Sequence, residues 1–396
     1  MRLRLTARSI QHYNDPPVRR RRSNALAASL LSLRECGALV MCAFLIYAQP
    51  SLAAQLPYSV DKIRQAAQHM PQHFVMLSAH RGYWRNAPEN SAEAIDAAIA
   101  QNYESIEVDV RLSWDRTPWL FHDATLEHVT DGTGYISDAT DAYLGGLLLK
   151  DRQGQKTNDH PLSVRDALNI LADNQWTDSN GVLRGFVLVL DCKAGVSSDP
   201  GGPSVSGYEA LKASWRILNE VARARNRADL SRAVIFKMKA KEFPAPSQLE
   251  SDLGIDAKNS QHFYLEAVLQ PDDSRAAEVF TTYNTEYYLS RYMVGFEPNP
   301  AYVDQPVSMA WLKALKQAGQ TVPGFPSWNE FPEGVVYSSG ICCLERNTDP
   351  SKPNLDYNGS AEYWLQIGAN WLTTDNPDFL NTYLRNIGMR DTHVLE

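Results

Sequence analysis

Cysteine is scarce in this chain, five in 396 residues, and no Cys-x-x-Cys pair occurs, so nothing in the spacing supports a structural zinc site. Two of the five, Cys36 and Cys42, lie in the N-terminal segment. Cys192, Cys342 and Cys343 remain, an odd number that implies a free thiol, and adjacent cysteines rarely bridge because the vicinal ring is strained. Long apolar runs are missing after residue 54, which leaves no candidate membrane span there. Internal repeats are missing too. The chain also lacks a basic surplus: its net charge of −8 argues against a general binder of nucleic acid or anionic membranes. What is present, 44% hydrophobic and 21% charged residues, describes an ordinary globular protein with ample material for a core.

Residues 1–54 read as a targeting segment. Arg19 to Arg22 form a basic n-region, the apolar stretch Ala38 to Ala48 is too short to span a bilayer, and Ser51-Leu-Ala53 offers small residues for cleavage. A cleaved signal peptide is favoured over an uncleaved anchor because Arg34 and Glu35 interrupt the apolar material. The arginine cluster matches a twin-arginine signal poorly. Export, to a periplasm or out of the cell, is the expected fate.

Beyond that segment, strand-like and helix-like patterns alternate. Eight strands are expected, near 73–79, 105–111, 186–190, 233–236, 263–269, 292–296, 321–325 and 371–374. Phe186-Val-Leu-Val-Leu190 has no polar face, as befits a parallel strand covered on both sides. Asn90 is read as the cap of a helix over 91–101, with Glu93 completing a capping box, and Ser163 as the cap of a second helix. Helical patterns also cover Tyr208 to Ala224 and Val307 to Ala318. These units predict a single (β/α)8 TIM-type barrel over residues 73–385, with a small insertion at about 123–162 after the second strand. A doubly wound open sheet is the runner-up. The loops 197–207 and 330–360 read as decorations.

The chemistry gathers at strand ends. In Ser105-Ile-Glu-Val-Asp-Val-Arg111, Glu107 and Asp109 share one face while Ile106, Val108 and Val110 share the other. Two carboxylates that close, turned into a closed interior, are costly unless a cation sits between them. Upstream, an apolar run ends in His80-Arg81-Gly82, and Pro88-Glu-Asn-Ser91 follows. Downstream, Trp119-Leu-Phe ends in His122-Asp123, and the third strand ends in Asp191-Cys-Lys193. Histidines with an arginine and carboxylates at such positions suit metal-assisted chemistry on a phosphate.

In order and spacing, His-Arg-Gly, Pro-Glu-Asn-Ser, Glu-x-Asp and His-Asp resemble the glycerophosphodiester phosphodiesterase family. The resemblance implies metal-dependent hydrolysis of glycerophosphodiesters to glycerol phosphate and an alcohol. His80 and His122 would handle the protons, and the glycerol hydroxyl beside the phosphate would attack first to give a cyclic phosphate. Asp191-x-Lys193 stands where the family has Glu-x-Lys, so Glu107, Asp109 and Asp191 are the expected metal ligands, with Arg81 and Lys193 on the phosphate. Glu89 either ligates the metal or holds Arg81. Three carboxylates favour a hard cation, Ca2+ or Mg2+. The segment Gly368 to Pro377 resembles the family's closing motif, where Asp375 is read as capping a loop and Pro377 as opening the next turn.

Glu266 and Glu297 are weaker candidates for the pocket lining. Phe325 and Trp328 are read as packing rather than as an aromatic wall, and His128 and His160 as loop residues. Asp115-Arg116 replaces the family's Asp-Gly turn and Tyr83-Trp84-Arg85 enlarges the first loop, so substrate preference is where this chain departs. The expected partner is a small-molecule diester, with no nucleic acid and no stable membrane span after signal removal. The competing readings are a phospholipase C- or D-like enzyme acting on (lyso)phospholipids and a catalytically silent binding barrel.

Overall fold

The computed structural model describes residues 55–198, 205–255, 262–300, 305–327 and 361–396. The N-terminal segment, Trp328, Cys342, Cys343 and the expected decoration at 330–360 lie outside the described residues. Eight parallel strands follow one another around a barrel: β1 (Met76–His80), β2 (Ser105–Leu112), β3 (Val187–Cys192), β4 (Val234–Lys239), β5 (Leu265–Leu269), β6 (Met293–Pro298), β7 (Pro323–Ser327) and β8 (Trp371–Thr374). Hydrogen-bonded ladders run β7-β8-β1-β2-β3-β4-β5-β6. The remaining seam sets Pro323, which has no N–H to give, beside Gly295, where an added Cβ would come within 3.3 Å of the proline ring. All eight expected strands are present, and the barrel rather than the open sheet is the outcome.

Local chemistry explains the elements. Side chains of β3 and β4 are buried almost throughout, which matches strands covered by helices outside and by the barrel interior within. Ser163 caps helix Val164–Asp173, and Ser206 with Glu209 forms a capping box on helix Gly207–Ala224. Proline opens helices Pro306–Gln317 and Pro377–Asn386 at their first turn, where its missing N–H has no bond to lose. The second helix, Ala92–Ala100, is capped by Ser91 and not by Asn90. Asn90 sits at φ 56°, a left-handed conformation, because its side chain is drawn to Asp109.

After β2 the chain turns back as the short antiparallel strand Pro118–Leu120, then leaves the barrel. The insertion has its own apolar cluster, including Phe121, Leu126, Ile136 and Leu144. Asp141 ties it down by accepting hydrogen bonds from Ser113 Oγ at 2.6 Å and Trp119 Nε1 at 2.8 Å. None of the helices among the described residues is long and apolar enough to cross a membrane.

The barrel floor is closed by a buried ion pair. Arg390, near the C-terminus, reaches both oxygens of Glu104 at 2.8 and 2.6 Å, and Glu104 Oε1 also accepts the Leu77 N–H at 2.8 Å. Glu104 is fully buried, so removing its partner strands a charge away from water. Arg390→Ala is expected to cost about 3–5 kcal/mol in urea unfolding. A loss below about 1 kcal/mol, the scale of a surface pair, would show that the pair does not hold the floor.

Candidate active site

Strand register brings the site together. His80 lies opposite Glu107 across β1 and β2, and Asp109 lies opposite Asp191 across β2 and β3. Residues two apart on a strand share a face, so these side chains enter the C-terminal mouth of the barrel in adjoining rows. They border a cavity of about 300 Å³ lined by His80, Glu107, His122, Asp191 and Lys193 on one side, and by Lys237, Lys239, Gln270 and Asn299 on the other.

Each histidine is fixed from behind by a carboxylate. His80 Nδ1 donates to Asp375 Oδ1 at 2.6 Å, which leaves Nε2 facing Glu107 Oε2 at 3.8 Å. His122 Nδ1 donates to Asp123 Oδ1 at 2.7 Å, and the other Asp123 oxygen is 2.9 Å from His128 Nδ1. Arg111 Nε donates to the His122 carbonyl at 2.7 Å and so anchors its backbone. Burial works against a charge on His80, but Asp375 and Glu107 outweigh it and hold its pKa above the usual value. Burial of His122 prevails over the attraction of Asp109 and lowers its pKa. The two rings differ in proton affinity because only one faces two carboxylates at close range.

The acids are sorted by their partners. Asp109 is fully buried, with Lys193 Nζ 3.0 Å from Oδ1, and Arg81 Nε 3.2 Å and Asn90 Nδ2 3.0 Å from Oδ2. Burial alone would raise its pKa, yet Lys193, His122 and Arg81 hold it well below the usual range. Glu107 is pushed up to about 7 by burial and by Asp109 beside it. Asp191 is 2.7 Å from Lys193 Nζ. Glu89 takes Arg81 Nη1 between its two oxygens, at 2.8 and 2.7 Å.

Backbone strain sits in this loop. Arg81 has φ 55°, and Gly82 at φ 76° presses on the helix start so closely that an added Cβ would lie 2.7 Å from the Ala94 carbonyl carbon. No other residue fits there.

Among the described residues one group offers converging metal-ligand atoms: His80, Glu107 and Asp109, whose donor atoms all lie within 4.8 Å of one another. The donor set fits a divalent cation. Glu107 and Asp109 are both buried on one face of the strand, and Glu107 is pushed up to about 7 by burial and by Asp109, a crowding that a cation between them would relieve. The expected third ligand, Asp191, stands outside this group and salt-bridges Lys193, while His80 stands inside it. Lys193 lines the cavity. Arg81 turns its Nη1 and Nε to Glu89 and Asp109, 1% exposed.

Three participants escaped the sequence reading. Asp375 accepts from His80 Nδ1 and from Trp84 Nε1 at 3.0 Å, and only the fold brings residue 375 to residue 80. Lys237 and Lys239 lie beyond the expected end of their strand at 236; the strand runs on to Lys239 and sets the two lysines on one face. Glu297 lines the cavity and pairs with Lys237 at 2.7 Å, while Glu266 lies buried beside that pair, pushed up to about 8 by burial. Phe325 packs edge-on against His80 with ring centres 4.7 Å apart. His128 is an exposed loop residue, and His160 bonds the Leu147 carbonyl.

Residues 80–183 match the model of the glycerophosphoryl diester phosphodiesterase family. An uncharacterized protein of Sinorhizobium fredii is 31% identical over 86% of this chain and 92% of its own length. Shorter stretches match a putative glycerophosphodiester phosphodiesterase of Bacillus subtilis (42% identical over 16% of this chain) and glycerophosphodiester phosphodiesterase 1 of Homo sapiens (39% over 18%). Those stretches take in 26% and 21% of the two proteins, about a quarter of their length or less. The fold is that of a glycerophosphoryl diester phosphodiesterase from Parabacteroides distasonis, with TM-score 0.54 and 18% identity over 83% of this chain and 92% of that one. A putative glycerophosphoryl diester phosphodiesterase from Silicibacter pomeroyi shares it, with TM-score 0.53 and 14% identity over 83% and 99%.

Glu107→Ala is expected to weaken calorimetric binding of a divalent cation by about tenfold or more, with the far-ultraviolet dichroism of the folded chain retained. Unchanged affinity would remove Glu107 from the cation site.

Proposed function

Because the chain belongs to the glycerophosphoryl diester phosphodiesterase family, we propose that it hydrolyses water-soluble glycerophosphodiesters to glycerol phosphate and an alcohol, with a divalent cation held by the Glu107 and Asp109 carboxylates. The observation that carries this reading is the meeting, in one cavity, of Glu107 with two imidazoles that are each backed by an aspartate, while Asp109 lies within 4.8 Å of Glu107 and His80. Mg2+ and Ca2+ are the ions that two carboxylates favour. When bound, such an ion polarises a phosphoryl oxygen and offsets the charge that gathers in the transition state.

The residues supply the rest. Lys193, lining the cavity, meets phosphate oxygens as a point charge, and Arg81 adds positive charge from behind while keeping Asp109 ionised. Asp375 and Asp123 each hold an Nδ1–H, so both Nε2 atoms remain for proton transfer. One imidazole takes the proton of the attacking hydroxyl, and the other returns a proton to the departing alkoxide. The aspartates orient the rings and stabilise the imidazolium that forms.

Turnover of a glycerophosphodiester panel is expected to stop on chelation and to return when Mg2+ or Ca2+ is added back. Full activity in chelator would overturn the cation's role, and turnover of lysolipid but of no soluble diester would overturn the substrate. Asp375→Asn, which keeps the size but loses the charge behind His80, is expected to lower kcat by roughly 10²- to 10⁴-fold. KM should change little. A kcat within about twofold of wild type, in steady-state kinetics on the folded variant, would leave Asp375 without that role.

A further inference from the structure

The cavity has two unlike halves. The half under β1 to β3 holds His80, Glu107, His122 and the paired Asp191 and Lys193. The half under β4 to β6 is lined by Lys237, Lys239, Val268, Gln270, Glu297 and Asn299. Its cations are not equivalent. Lys237 is held by Glu297 at 2.7 Å, whereas Lys239 has no hydrogen-bond or ion-pair partner among the described residues. Burial, with Lys193 and Lys241, lowers the pKa of Lys239, and Asp191 and Asp272 do not offset them. Beside it the side-chain amides of Gln270 and Asn299, just past the ends of β5 and β6, likewise have no partner among the described residues. An uncompensated cation and two open amides, half-buried in a cavity wall, form a receptor for an anion with hydroxyl neighbours.

We propose that Lys239, with Gln270 and Asn299, forms a subsite that selects diesters whose departing alcohol carries its own phosphate. This rests on the function proposed above, since a phosphodiester centred between His80, His122 and Glu107 must send one of its two arms toward β4 to β6. Glycerol is uncharged, so an anion in that half belongs to the other alcohol. A quaternary ammonium head group meets Lys239 and Lys193 there, and among the described residues no carboxylate on that wall is unpaired and at the cavity edge to receive it.

The test compares three ligands that share the glycerophosphoryl centre: a glycerophosphoinositol phosphate, the unphosphorylated glycerophosphoinositol, and glycerophosphocholine. Binding to the chelated, non-turning-over protein is measured by calorimetry, and kcat/KM is measured with the cation restored. The phosphorylated ligand is expected to bind at least tenfold tighter than the choline ester, with the inositol ester between them. In Lys239→Gln that ratio falls tenfold, in Lys239→Arg it survives, and rising salt erodes it. Equal or reversed preference in the wild type, or a ratio untouched by Lys239→Gln, overturns the subsite. Absence of turnover on all three with the binding preference intact overturns the proposed reaction and leaves the subsite standing.

Discussion

Asp109 carries a charge where no water reaches, and much of the mouth is arranged to keep it there. An ionised carboxylate in such a place costs several kcal/mol unless cations and donors surround it. Lys193, Arg81 and Asn90 do so, from the residue just past β3, from the loop after β1 and from the residue that precedes the Ser91 cap. The interaction reaches further than its own contacts. Arg81 and Asn90 both stand at positive φ, a conformation that non-glycine residues adopt only when their surroundings fix it, and Gly82 between them tolerates no Cβ. The strained loop and the buried charge hold each other, and His80, adjacent to Arg81, inherits its place from both.

The second consequence concerns Glu107. With Asp109 kept ionised by fixed cations, its neighbour two residues back on the same face meets a standing negative charge, and it rises to about 7. One carboxylate is thus committed to protein cations while the other is left short of one. That asymmetry sets the mouth apart from an ordinary buried ion-pair network, in which every acid finds its base. Glu104 with Arg390 on the barrel floor is such a closed pair, and it has no place for an ion.

Much of this was legible in the sequence, and the illegible part has a common cause. The eight strands, the barrel, the Ser163 cap and the pairing of Glu107 with Asp109 follow from periodicity and turn chemistry, which are local. Ser91 instead of Asn90 as cap was a near choice between two good capping residues, decided by a hydrogen bond to Asp109 nineteen positions away. Glu89 could not be assigned locally, because ligating a metal and holding Arg81 require the same carboxylate. Asp191 lies outside the converging group for the same reason: whether a strand-end acid faces its neighbours or a lysine depends on which side chain the next residues return to it, and here Lys193 returns to Asp191. Asp375 was beyond local reading altogether, since β8 meets β1 only when the barrel closes.

Closure also explains why the cations lie where they do. On an open sheet Lys237 and Lys239 would be two lysines on one face, free to reach water. In the barrel that face becomes the interior, so each must be neutralised, exposed at the mouth, or used. Lys237, one row deeper, is neutralised by Glu297, with Glu266 close by and raised to about 8 by burial, so that the row is near balance. Lys239 is a row higher, at the level of Lys193, and has only the mouth. Lys193 in turn is occupied by Asp109 and Asp191. The charge of the mouth is therefore uneven around its rim, acidic and imidazole-bearing from β1 to β3 and cationic at β4, and this unevenness follows from the same register that sets His80 against Glu107.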